Sequence, residues 1–305
     1  MKVALFGGTG FVGSYIIDEL LKNGYEPVVL VRDGSESKLN NSEKCKIISG
    51  DVNDVKSIEN TIEGSDAVIY CIGIIREFPR KGITFEKLHF QAAKECIDIA
   101  KLLGVKRFIM MSANGVKVDG TGYQKTKYLA EEYLKFSNVD WTIFRPSLIF
   151  GDPRGGDRPE FCSQLKKDML SLPFPAPNFH PGLNPLNAGK FAMSPIHIKN
   201  VAEFFVKSIE LKESIKKTYS LGGEAYYWKD IISTIAKSYG KKKWSVPAPA
   251  IGVQILAAFL GRFSWFPITK DQITMLLEGN ICESKELYNS FKIEQIPFNT
   301  ETLSY

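Results

Sequence analysis

The residues of this chain best suited to acid–base chemistry are a tyrosine and a lysine four positions apart. Tyr123 and Lys127 stand at the start of a segment with helical spacing, so their side chains share one helix face. A phenol has a pKa of about 10, and a nearby ammonium favours the phenolate and brings that pKa towards the working range. Ser112 ends a predicted strand and could hydrogen-bond a substrate oxygen. We therefore predict that Tyr123, Lys127 and Ser112 are catalytic.

The Tyr-x-x-x-Lys spacing has little specificity by itself. Tyr239 with Lys243, and Tyr288 with Lys292, repeat the same spacing elsewhere in the chain. We interpret both of these pairs as surface residues on polar helices. Tyr123 differs because it follows a strand of a predicted nucleotide-binding sheet and a candidate hydroxyl, which is the context that this chemistry requires.

A glycine-rich turn joins the first predicted strand to the first predicted helix. The strand is the apolar run at residues 3–6, and the helical pattern continues from residue 14. Glycines let the backbone turn sharply and approach a pyrophosphate, while the helix N-terminus offers N–H groups and its positive dipole end. A glycine triplet alone is often an ordinary loop, but this one lies between the right elements. We predict that the turn binds a dinucleotide through Gly7, Thr9, Gly10, Phe11, Val12 and Gly13.

The end of the second predicted strand bears on which dinucleotide is bound. An NAD site commonly has an acidic residue there, whereas this chain has Arg32 directly after Val31. Arg32, assisted by Lys38, could bind a 2′-phosphate through bidentate, charge-assisted hydrogen bonds. Alternatively, Arg32 is a solvated loop residue and Asp33 takes the acidic role. We therefore predict NADP as the cofactor, with NAD as the second choice.

Two later strand ends extend the predicted cofactor site. Asp51 and Val52 end the third strand, where Asp51 could accept a hydrogen bond from an adenine amine or cap the next helix. Ile72 and Gly73 end the fourth strand, where the glycine could let the backbone approach the dinucleotide or simply form a turn. We predict that all four residues line the cofactor site.

Strands alternate with helices through the first half of the chain. Predicted strands cover 27–31, 46–52, 66–73 and 105–111, and predicted helices cover 55–62 and 85–103. This alternation implies an α/β fold with a Rossmann-type, doubly wound parallel sheet, which binds its ligand across the carboxyl ends of the strands.

The alternation breaks down beyond residue 151. Residues 172–185 are rich in proline, and such an irregular stretch is usually a binding loop or lid. Arg154 and Arg158 could bind an anionic substrate group there, although solvated loop arginines are commoner. We therefore expect an NAD(P)-binding domain over 1–150, to which 196–222 return, and a smaller, mostly helical substrate or partner region over 151–195 and 223–305.

The composition argues against several classes of protein. Hydrophobic residues make up 44% and charged residues 24%, which is ordinary for a globular protein and unlike a disordered one. The net charge of +5 is spread along the chain, whereas nucleic-acid binding needs a concentrated basic face. Five widely spaced cysteines and three histidines argue against a disulfide framework or a metal site. The first strand follows Met1 and Lys2 directly, so we expect a cytoplasmic protein without a signal peptide.

A basic and apolar segment covers residues 241–267. Three lysines at 241–243 precede an apolar run that is interrupted by Gln254 and Arg262 and flanked by two tryptophans. The run is shorter than the ~20 residues that a membrane-spanning helix needs. It could lie in a membrane interface or against a membrane partner, which would make the protein peripheral to a membrane. Alternatively, it forms an apolar helix that closes a lid over the substrate pocket.

Several motifs of the chain occur together in one known superfamily. They are Gly7-Gly-Thr-Gly-Phe-Val-Gly13, Asp51-Val52, Tyr123-x-x-x-Lys127 and Arg145-Pro-Ser-Leu-Ile-Phe-Gly151. Further stretches are Gly73-Ile-Ile-Arg-Glu77, Gly104-Val-Lys-Arg-Phe-Ile-Met-Met-Ser-Ala-Asn-Gly115 and Asp140-Trp-Thr-Ile-Phe-Arg-Pro146. The first set resembles the extended and atypical short-chain dehydrogenase/reductases, an epimerase/dehydratase-like group. The further stretches are similar to the branch with the accessory subunit of respiratory complex I and its bacterial relatives.

That resemblance implies roles for several residues. Gly7, Gly10 and Gly13 of the turn would hold the pyrophosphate. Lys127 would also bind the nicotinamide ribose, and Pro146 with its neighbours would flank the nicotinamide. Two features depart from the pattern. Ser112 lies only eleven residues before Tyr123, a shorter gap than extended sugar-nucleotide enzymes usually show, and Asn200 replaces an acidic residue but could still cap the next helix.

These observations support two functions. The first is an NADP-dependent oxidoreductase or epimerase that moves a hydride between nicotinamide and a carbonyl or carbinol substrate, with Tyr123 as general acid/base. The second is a nucleotide-binding accessory or assembly factor for a membrane complex, in which the dinucleotide stabilises the structure and is not turned over. In the second case residues 241–267 would contact the membrane or the complex.

Overall fold

The computed structural model of the chain describes residues 1–155, 158–182, 184–260 and 268–305. Its strands are β1 (Lys2–Phe6), β2 (Glu26–Val31), β3 (Lys46–Ser49), β4 (Ala67–Tyr70), β5 (Arg107–Met111), β6 (Asp140–Pro146), β7 (Ile149–Phe150), β8 (Ala176–His180), β9 (Ala192–Met193), β10 (Ile196–His197), β11 (Lys217–Leu221), β12 (Tyr226–Tyr227) and β13 (Ser245–Pro249). Its helices are α1 (Phe11–Lys22), α2 (Val55–Ile62), α3 (Ala92–Leu102), α4 (Gly122–Lys135), α5 (Phe161–Leu165), α6 (Ile198–Lys207), α7 (Trp228–Ser238), α8 (Ala250–Leu260), α9 (Lys270–Glu278) and α10 (Lys285–Ser290). Two π-helical turns, Glu86–Gln91 and Lys166–Leu170, adjoin α3 and α5.

The chain divides into two compact units. Unit 1 comprises Met1–Pro146, Ile198–Ser220 and Leu287–Ile293, and unit 2 comprises Ser147–His197, Leu221–Glu286 and Glu294–Tyr305. The assignment of nucleotide binding to one region of the chain and of substrate or partner binding to the other stays a prediction.

Unit 1 is organised around a seven-stranded sheet. The strand order is β11-β6-β5-β4-β1-β2-β3, and each neighbouring pair from β3 to β6 is parallel. The carboxyl ends of these parallel strands therefore meet at one edge of the sheet, which we call the carboxyl edge. This topology confirms the predicted doubly wound α/β fold.

The unit 1 strands are apolar because helices cover both faces of the sheet. Ala4 and Phe6 of β1 pack in one core cluster with Ile58 of α2 and Ile97 of α3. On the other face, α1 packs against α6. A fully buried aliphatic or aromatic side chain contributes about 1.5–3 kcal/mol to the free energy of unfolding, so these strands hold the carboxyl edge in place.

Helix ends in unit 1 follow local capping chemistry. α1 ends at Lys22, and Gly24 has a φ of +76°, a left-handed conformation that favours glycine after the end of a helix. α2 has the predicted bounds, and its cap is Asp54, whose carboxylate accepts from the Ser57 N–H at 3.0 Å. The alternative that Asp51 caps α2 is therefore wrong.

Two strands are shorter than predicted, because each depends on a neighbour that ends first. β4 ends at Tyr70, and the next N–H, that of Cys71, donates to the Phe6 carbonyl at 3.0 Å. β1 ends at Phe6, so residues 72–73 have no further partner on that strand. In the same way β3 ends at Ser49, because its neighbour β2 ends at Val31.

Two predictions on single polar side chains are wrong. α6 begins at Ile198, so Asn200 is buried inside its first turn and does not cap it. Tyr288 is buried in unit 1, where its ring centroid lies 5.2 Å from that of Phe204. Tyr288 is therefore a core residue and not the surface residue that we predicted.

Unit 2 is built around a buried tryptophan. The indole N–H of Trp228 donates to the Pro177 carbonyl at 3.0 Å, and its ring stacks on Phe191 with 5.4 Å between centroids. Three two-stranded sheets, β10-β7, β12-β9 and β13-β8, accompany the helices of this unit. In the described ranges of the chain, no helix is both long enough and apolar enough to cross a membrane.

Candidate functional site

The glycine turn lies at the carboxyl end of β1 and leads into α1. Gly7 has a φ of +101°, a conformation that favours glycine. Gly10 is the N-cap of α1, and its N–H donates to the Gly7 carbonyl at 3.0 Å. A Cβ at Gly13 would lie 2.1 Å from that same carbonyl oxygen, so no larger residue fits there. The turn therefore brings the first N–H groups of α1 to the carboxyl edge, an arrangement that suits a pyrophosphate.

The other predicted residues of the turn differ in how much of them a ligand can reach. Thr9 and Phe11 are partly exposed, and the Phe11 ring packs edge-on against Tyr15 with 6.1 Å between centroids. Val12 is buried in the core, so only its backbone could contact a phosphate.

The end of β2 carries charges of both signs. Arg32 directly follows the strand, and its side chain is exposed, as is that of Lys38 in the next turn of chain. Asp33 accepts a hydrogen bond from the Ser49 hydroxyl at the end of β3. An arginine and an aspartate are therefore both present at the position that distinguishes NADP from NAD.

Asp51 and Val52 lie just beyond the end of β3. The Asp51 carboxylate accepts from the Asn53 backbone N–H at 2.8 Å, which closes a turn, and the side chain is partly exposed. Val52 is buried in the core cluster of unit 1. Asp51 can therefore offer a carboxylate oxygen at the edge, whereas Val52 can offer only its backbone.

Gly73 and Pro146 occupy the ends of two further parallel strands. Gly73 is exposed three residues beyond β4, next to the partly exposed Ile72, and a Cβ added to it would lie 3.6 Å from Lys127 Nζ. Pro146 ends β6 and is buried, and its carbonyl accepts from the Asn114 N–H at 3.0 Å. The structure thus brings Gly73 and Lys127 together at the carboxyl edge.

The predicted tyrosine and lysine lie in the first turns of α4. A capping box of Thr121 and Gln124 begins this helix. Lys127 Nζ lies 5.8 Å from the centroid of the Tyr123 ring and donates to the Met111 carbonyl at 3.2 Å. The two side chains therefore share one face of α4, next to the end of β5.

Burial controls the charges of this pair. Lys127 is 4% exposed, and burial lowers the pKa of its amine to about 8, although the Glu131 carboxylate acts in the opposite direction. Burial also raises the pKa of the Tyr123 phenol above its ordinary value. We expected the neighbouring ammonium to lower that pKa, but desolvation of the phenol raises it. The Tyr123 phenol is therefore protonated at neutral pH.

A buried ion pair ties α4 to β6 one turn after Lys127. Glu131 is fully buried, and its Oε1 accepts from Arg145 Nε at 2.8 Å. Lys135 Nζ also lies 3.7 Å from Glu131 Oε2. Because Glu131 is anchored by these cations, it holds the helix that presents Lys127.

Ser112 follows β5 and has an unsatisfied hydroxyl. The residue is 3% exposed, and its backbone N–H donates to the Phe144 carbonyl at 2.7 Å. Within the described part of the chain, no group hydrogen-bonds to its Oγ. Ser112 lines a small cavity together with Lys127, Met110 and His89. A buried hydroxyl without a partner is costly, which marks this cavity as a place for another polar group.

His89 completes this cluster, although the sequence did not predict a role for it at the site. The Ile74 N–H donates to His89 Nε2 at 3.1 Å, and His89 Nδ1 lies 3.2 Å from Thr126 Oγ1. The His89 ring also packs edge-on against Tyr123, with 5.1 Å between centroids. The available signal was one histidine in an apolar helical pattern, which more often indicates core packing.

The remaining candidates belong to unit 2. Arg154 has a φ of +58°, and Arg158 Nη1 donates to the Pro153 carbonyl at 3.3 Å. Unit 2 also contains His197, which is buried and packs against Phe150 with 5.1 Å between ring centroids. Residues 261–267 of the predicted lid or interface segment lie outside the described residues. Across the ranges that the structure covers, no group of three histidine, cysteine or acidic side chains is placed to hold a metal ion.

The residues at the carboxyl edge fit a dinucleotide. The turn at Gly13 has no room for a Cβ, as the close packing of helix against strand in a dinucleotide-binding turn requires. Two polar groups that a ribose or a substrate could use, the Ser112 hydroxyl and the Lys127 amine, are buried together in one cavity.

Comparisons with known proteins agree with this geometry. A family model described as NAD(P)H-binding matches residues 7–167. The 40 kDa subunit of mitochondrial NADH-ubiquinone oxidoreductase from Neurospora crassa is 24% identical over 270 residues, which cover 87% of this chain and 67% of that protein. The photosystem II assembly factor Ycf39 from Trieres chinensis is 22% identical over 302 residues, which cover 96% of this chain and 88% of that protein. A ceramide reductase from Caulobacter vibrioides is 21% identical over 86% of this chain and 78% of its own length.

Solved structures share the same fold. The UDP-glucose 4-epimerase of Thermotoga maritima, solved with UDP-glucose, has a TM-score of 0.73 at 18% identity and covers 100% of this chain and 96% of its own. The enzyme WbmH of Bordetella bronchiseptica, solved with NAD+, has a TM-score of 0.71 at 15% identity over 99% of this chain and 95% of its own. Together with the relatives above, these similarities confirm the resemblance predicted from the motifs.

Proposed function

Because this chain belongs to the NAD(P)H-binding family, we propose that it binds NADP(H) at the carboxyl edge and moves a hydride between the nicotinamide and a carbonyl or carbinol substrate. The observation that supports this most directly is the neighbouring position of two features. The glycine turn follows β1, and Gly73, where an added Cβ would lie 3.6 Å from Lys127 Nζ, follows the adjacent strand β4. The strand order reverses between these two strands, and sheets of this kind bind their ligand at such a point.

Each part of the carboxyl edge would hold one part of the dinucleotide. The backbone of the glycine turn binds the pyrophosphate, while Asp51 and Val52 border the adenine. Ile72 and Gly73 line the groove beside Lys127, which binds the nicotinamide ribose. Pro146 flanks the nicotinamide. The bound dinucleotide itself supplies or accepts the hydride.

We propose that Tyr123 acts as a general acid. Its raised pKa keeps the phenol protonated at neutral pH, so it suits donation of a proton to a carbonyl oxygen while the hydride adds to the carbonyl carbon. The Lys127 ammonium, 5.8 Å from the ring, stabilises the phenolate that results. The Ser112 hydroxyl orients the same substrate oxygen. These assignments favour reduction of a carbonyl over oxidation of a carbinol.

The choice of NADP over NAD rests on the end of β2. Arg32 is exposed there and can pair with a 2′-phosphate, with Lys38 in the following turn as a second cation. The competing group is Asp33, whose carboxylate is already engaged by the Ser49 hydroxyl. Arg32→Ala should therefore weaken NADPH binding and leave NADH binding nearly unchanged.

The function is tested by calorimetric titration with NADPH and NADH, followed by turnover assays on aldehydes, ketones and quinones. Tyr123→Phe should retain the dinucleotide affinity and lose about 100-fold or more in turnover, since general acid catalysis contributes 10²–10⁴-fold. Tyr239→Phe alters a tyrosine with the same Tyr-x-x-x-Lys spacing in unit 2 and serves as the matched control. Equal turnover by Tyr123→Phe and the unaltered protein would contradict the assigned role.

A second function, an accessory or assembly factor peripheral to a membrane, is favoured by the outer face of α8. Ile251, Ile255, Leu256 and Phe259 are each more than half exposed on this helix. Trp244 is 70% exposed directly after the three lysines at 241–243. Basic, aromatic and apolar side chains in this order suit the surface of an anionic bilayer. The relatives named as respiratory-complex subunits or a photosystem assembly factor make this function a reasonable alternative.

Flotation with vesicles of phosphatidylglycerol and phosphatidylcholine tests the membrane contact. The unaltered protein should float with the vesicles at low salt, and the double variant Ile255→Asp/Phe259→Asp should not. Leu102→Asp changes an apolar residue of α3 in unit 1 that is even more exposed, and it should leave flotation unchanged. Binding of NADPH without turnover of any substrate, combined with α8-dependent flotation, would favour the accessory function over the enzyme.

A further inference from the structure

We infer that His89 is a positioning residue of the dinucleotide site, because it holds the backbone after Gly73 against the helix that carries Tyr123 and Lys127. The inference rests on the proposed nucleotide binding at the carboxyl edge. His89 lies in the π-helical turn Glu86–Gln91, and π-helical turns occur frequently at functional sites. This turn packs against α4.

The hydrogen bonds of His89 define one tautomer. Nε2 accepts from the Ile74 N–H at 3.1 Å, so Nε2 carries no proton. The neutral ring then has its proton on Nδ1, which lies 3.2 Å from Thr126 Oγ1. The Thr126 hydroxyl donates to the Gly122 carbonyl at 2.8 Å and therefore has lone pairs free to accept from Nδ1. Each ring nitrogen thus holds a different segment of the chain.

Two aromatic neighbours pack against the ring. Phe85 stacks on His89 with 5.2 Å between centroids, and the Tyr123 ring lies at a near-right angle to it with 5.1 Å between centroids. Burial and the charge of Lys127 lower the pKa of the imidazole to about 2, so His89 stays neutral across the physiological range. Nε2 remains an acceptor throughout that range, which suits a positioning role.

The amide that His89 holds belongs to the peptide bond between Gly73 and Ile74. This peptide is trans and planar, so the Gly73 carbonyl points away from His89 when the Ile74 N–H points towards it. A Cβ added to Gly73 would lie 3.6 Å from Lys127 Nζ. His89 therefore fixes both the orientation of this peptide and the gap between it and Lys127, where the ribose of a dinucleotide would lie.

Two amide variants separate the two hydrogen bonds of His89. Glutamine can place its Oε1 near the position of Nε2 and accept from Ile74, whereas asparagine is shorter and can reach only towards Thr126. We expect His89→Gln to bind NADPH within about threefold of the unaltered protein. His89→Asn and His89→Ala should bind about tenfold or more weakly, which corresponds to ~1.4 kcal/mol. A purely structural role in the core would not separate glutamine from asparagine in this way.

Amide hydrogen exchange without added nucleotide provides an independent measurement. The Ile74 amide should exchange faster in His89→Asn and His89→Ala and remain protected in His89→Gln. Unchanged exchange of the Ile74 amide in His89→Ala would contradict the hydrogen bond between His89 and Ile74. Faster exchange with unchanged NADPH affinity would contradict the role of this hydrogen bond in nucleotide binding. If the unaltered protein bound neither NADPH nor NADH, the proposed function would fail, and with it the assignment of His89 to that site, even if exchange verified the hydrogen bond.

Discussion

Replacing Lys127 with methionine should make the protein more stable and less able to bind a dinucleotide. The amine is buried, and burial lowers its pKa from 10.5 to about 8. That difference corresponds to about 3 kcal/mol of unfavourable free energy for holding the charge in the folded protein at pH 7. Methionine has a similar shape without the charge, but it loses the hydrogen bond to the Met111 carbonyl, worth about 1 kcal/mol. The free energy of unfolding should therefore rise by about 2 kcal/mol.

The stability gain should depend on pH in a defined direction. Below pH 8 both the folded and the unfolded protein carry the Lys127 proton, so the full cost of burying the charge is present. Between about pH 8 and 10.5 only the unfolded protein still binds that proton, so the unaltered protein gains stability relative to the variant as the pH rises. The advantage of Lys127→Met should fall by about 1.4 kcal/mol per pH unit in this window.

Urea unfolding of both proteins at pH 7 and at pH 10 measures this difference, and subtraction removes the titration of all other lysines and tyrosines. Lys125→Met serves as the control, because Lys125 is exposed on the same helix. The control should show neither a gain in stability nor a dependence on pH. A Lys127→Met protein that is no more stable than the unaltered one at pH 7, or an advantage that stays constant up to pH 10, would show that burying the Lys127 charge does not destabilise the folded protein.

Two further substitutions test the parts that hold the site. Gly13→Ala should abolish NADPH binding in calorimetry, because its Cβ would lie 2.1 Å from the Gly7 oxygen; Gly252→Ala, with open space at its Cβ, should bind normally. Arg145→Met should lower the free energy of urea unfolding by about 3 kcal/mol, because it leaves the buried Glu131 carboxylate without its main partner. The double variant Glu131→Gln/Arg145→Met should recover much of that loss, and equal stability of the single and double variants would contradict this account.

Features of the site that depend on neighbouring residues in the sequence could be predicted. The glycine turn is specified by a strand, three glycines and a helix within residues 2–22, and Tyr123 and Lys127 share a face because they are four residues apart on one helix. The alternation of strands and helices likewise gave the parallel sheet, whose topology places each predicted strand end at one edge.

Features that depend on distant segments could not be predicted. The ends of β3 and β4 are set by where the adjacent strands stop, which no local pattern records. His89 joins Ile74, 15 positions away, to Thr126, 37 positions away, so its role exists only after three segments have packed together. The predicted direction of the shift in the Tyr123 pKa was wrong for the same reason. Its spacing to Lys127 is local, whereas its burial against Phe85 and His89 is not.

The contrast between two buried cations of unit 1 separates a structural from a functional role. Arg107 is 6% exposed, and burial lowers its pKa to about 10, yet its guanidinium donates to the Ser208 carbonyl, the Asp140 carbonyl and the Ser214 hydroxyl, so several of its N–H donors have acceptors. Lys127 is equally buried, yet among the described residues its Nζ has the Met111 carbonyl as its one hydrogen-bond acceptor. An ammonium has three donors, so an under-bonded buried lysine beside an unsatisfied serine hydroxyl reduces stability. Binding sites accept such a loss, because the unused donors are then available to a ligand that brings its own acceptors.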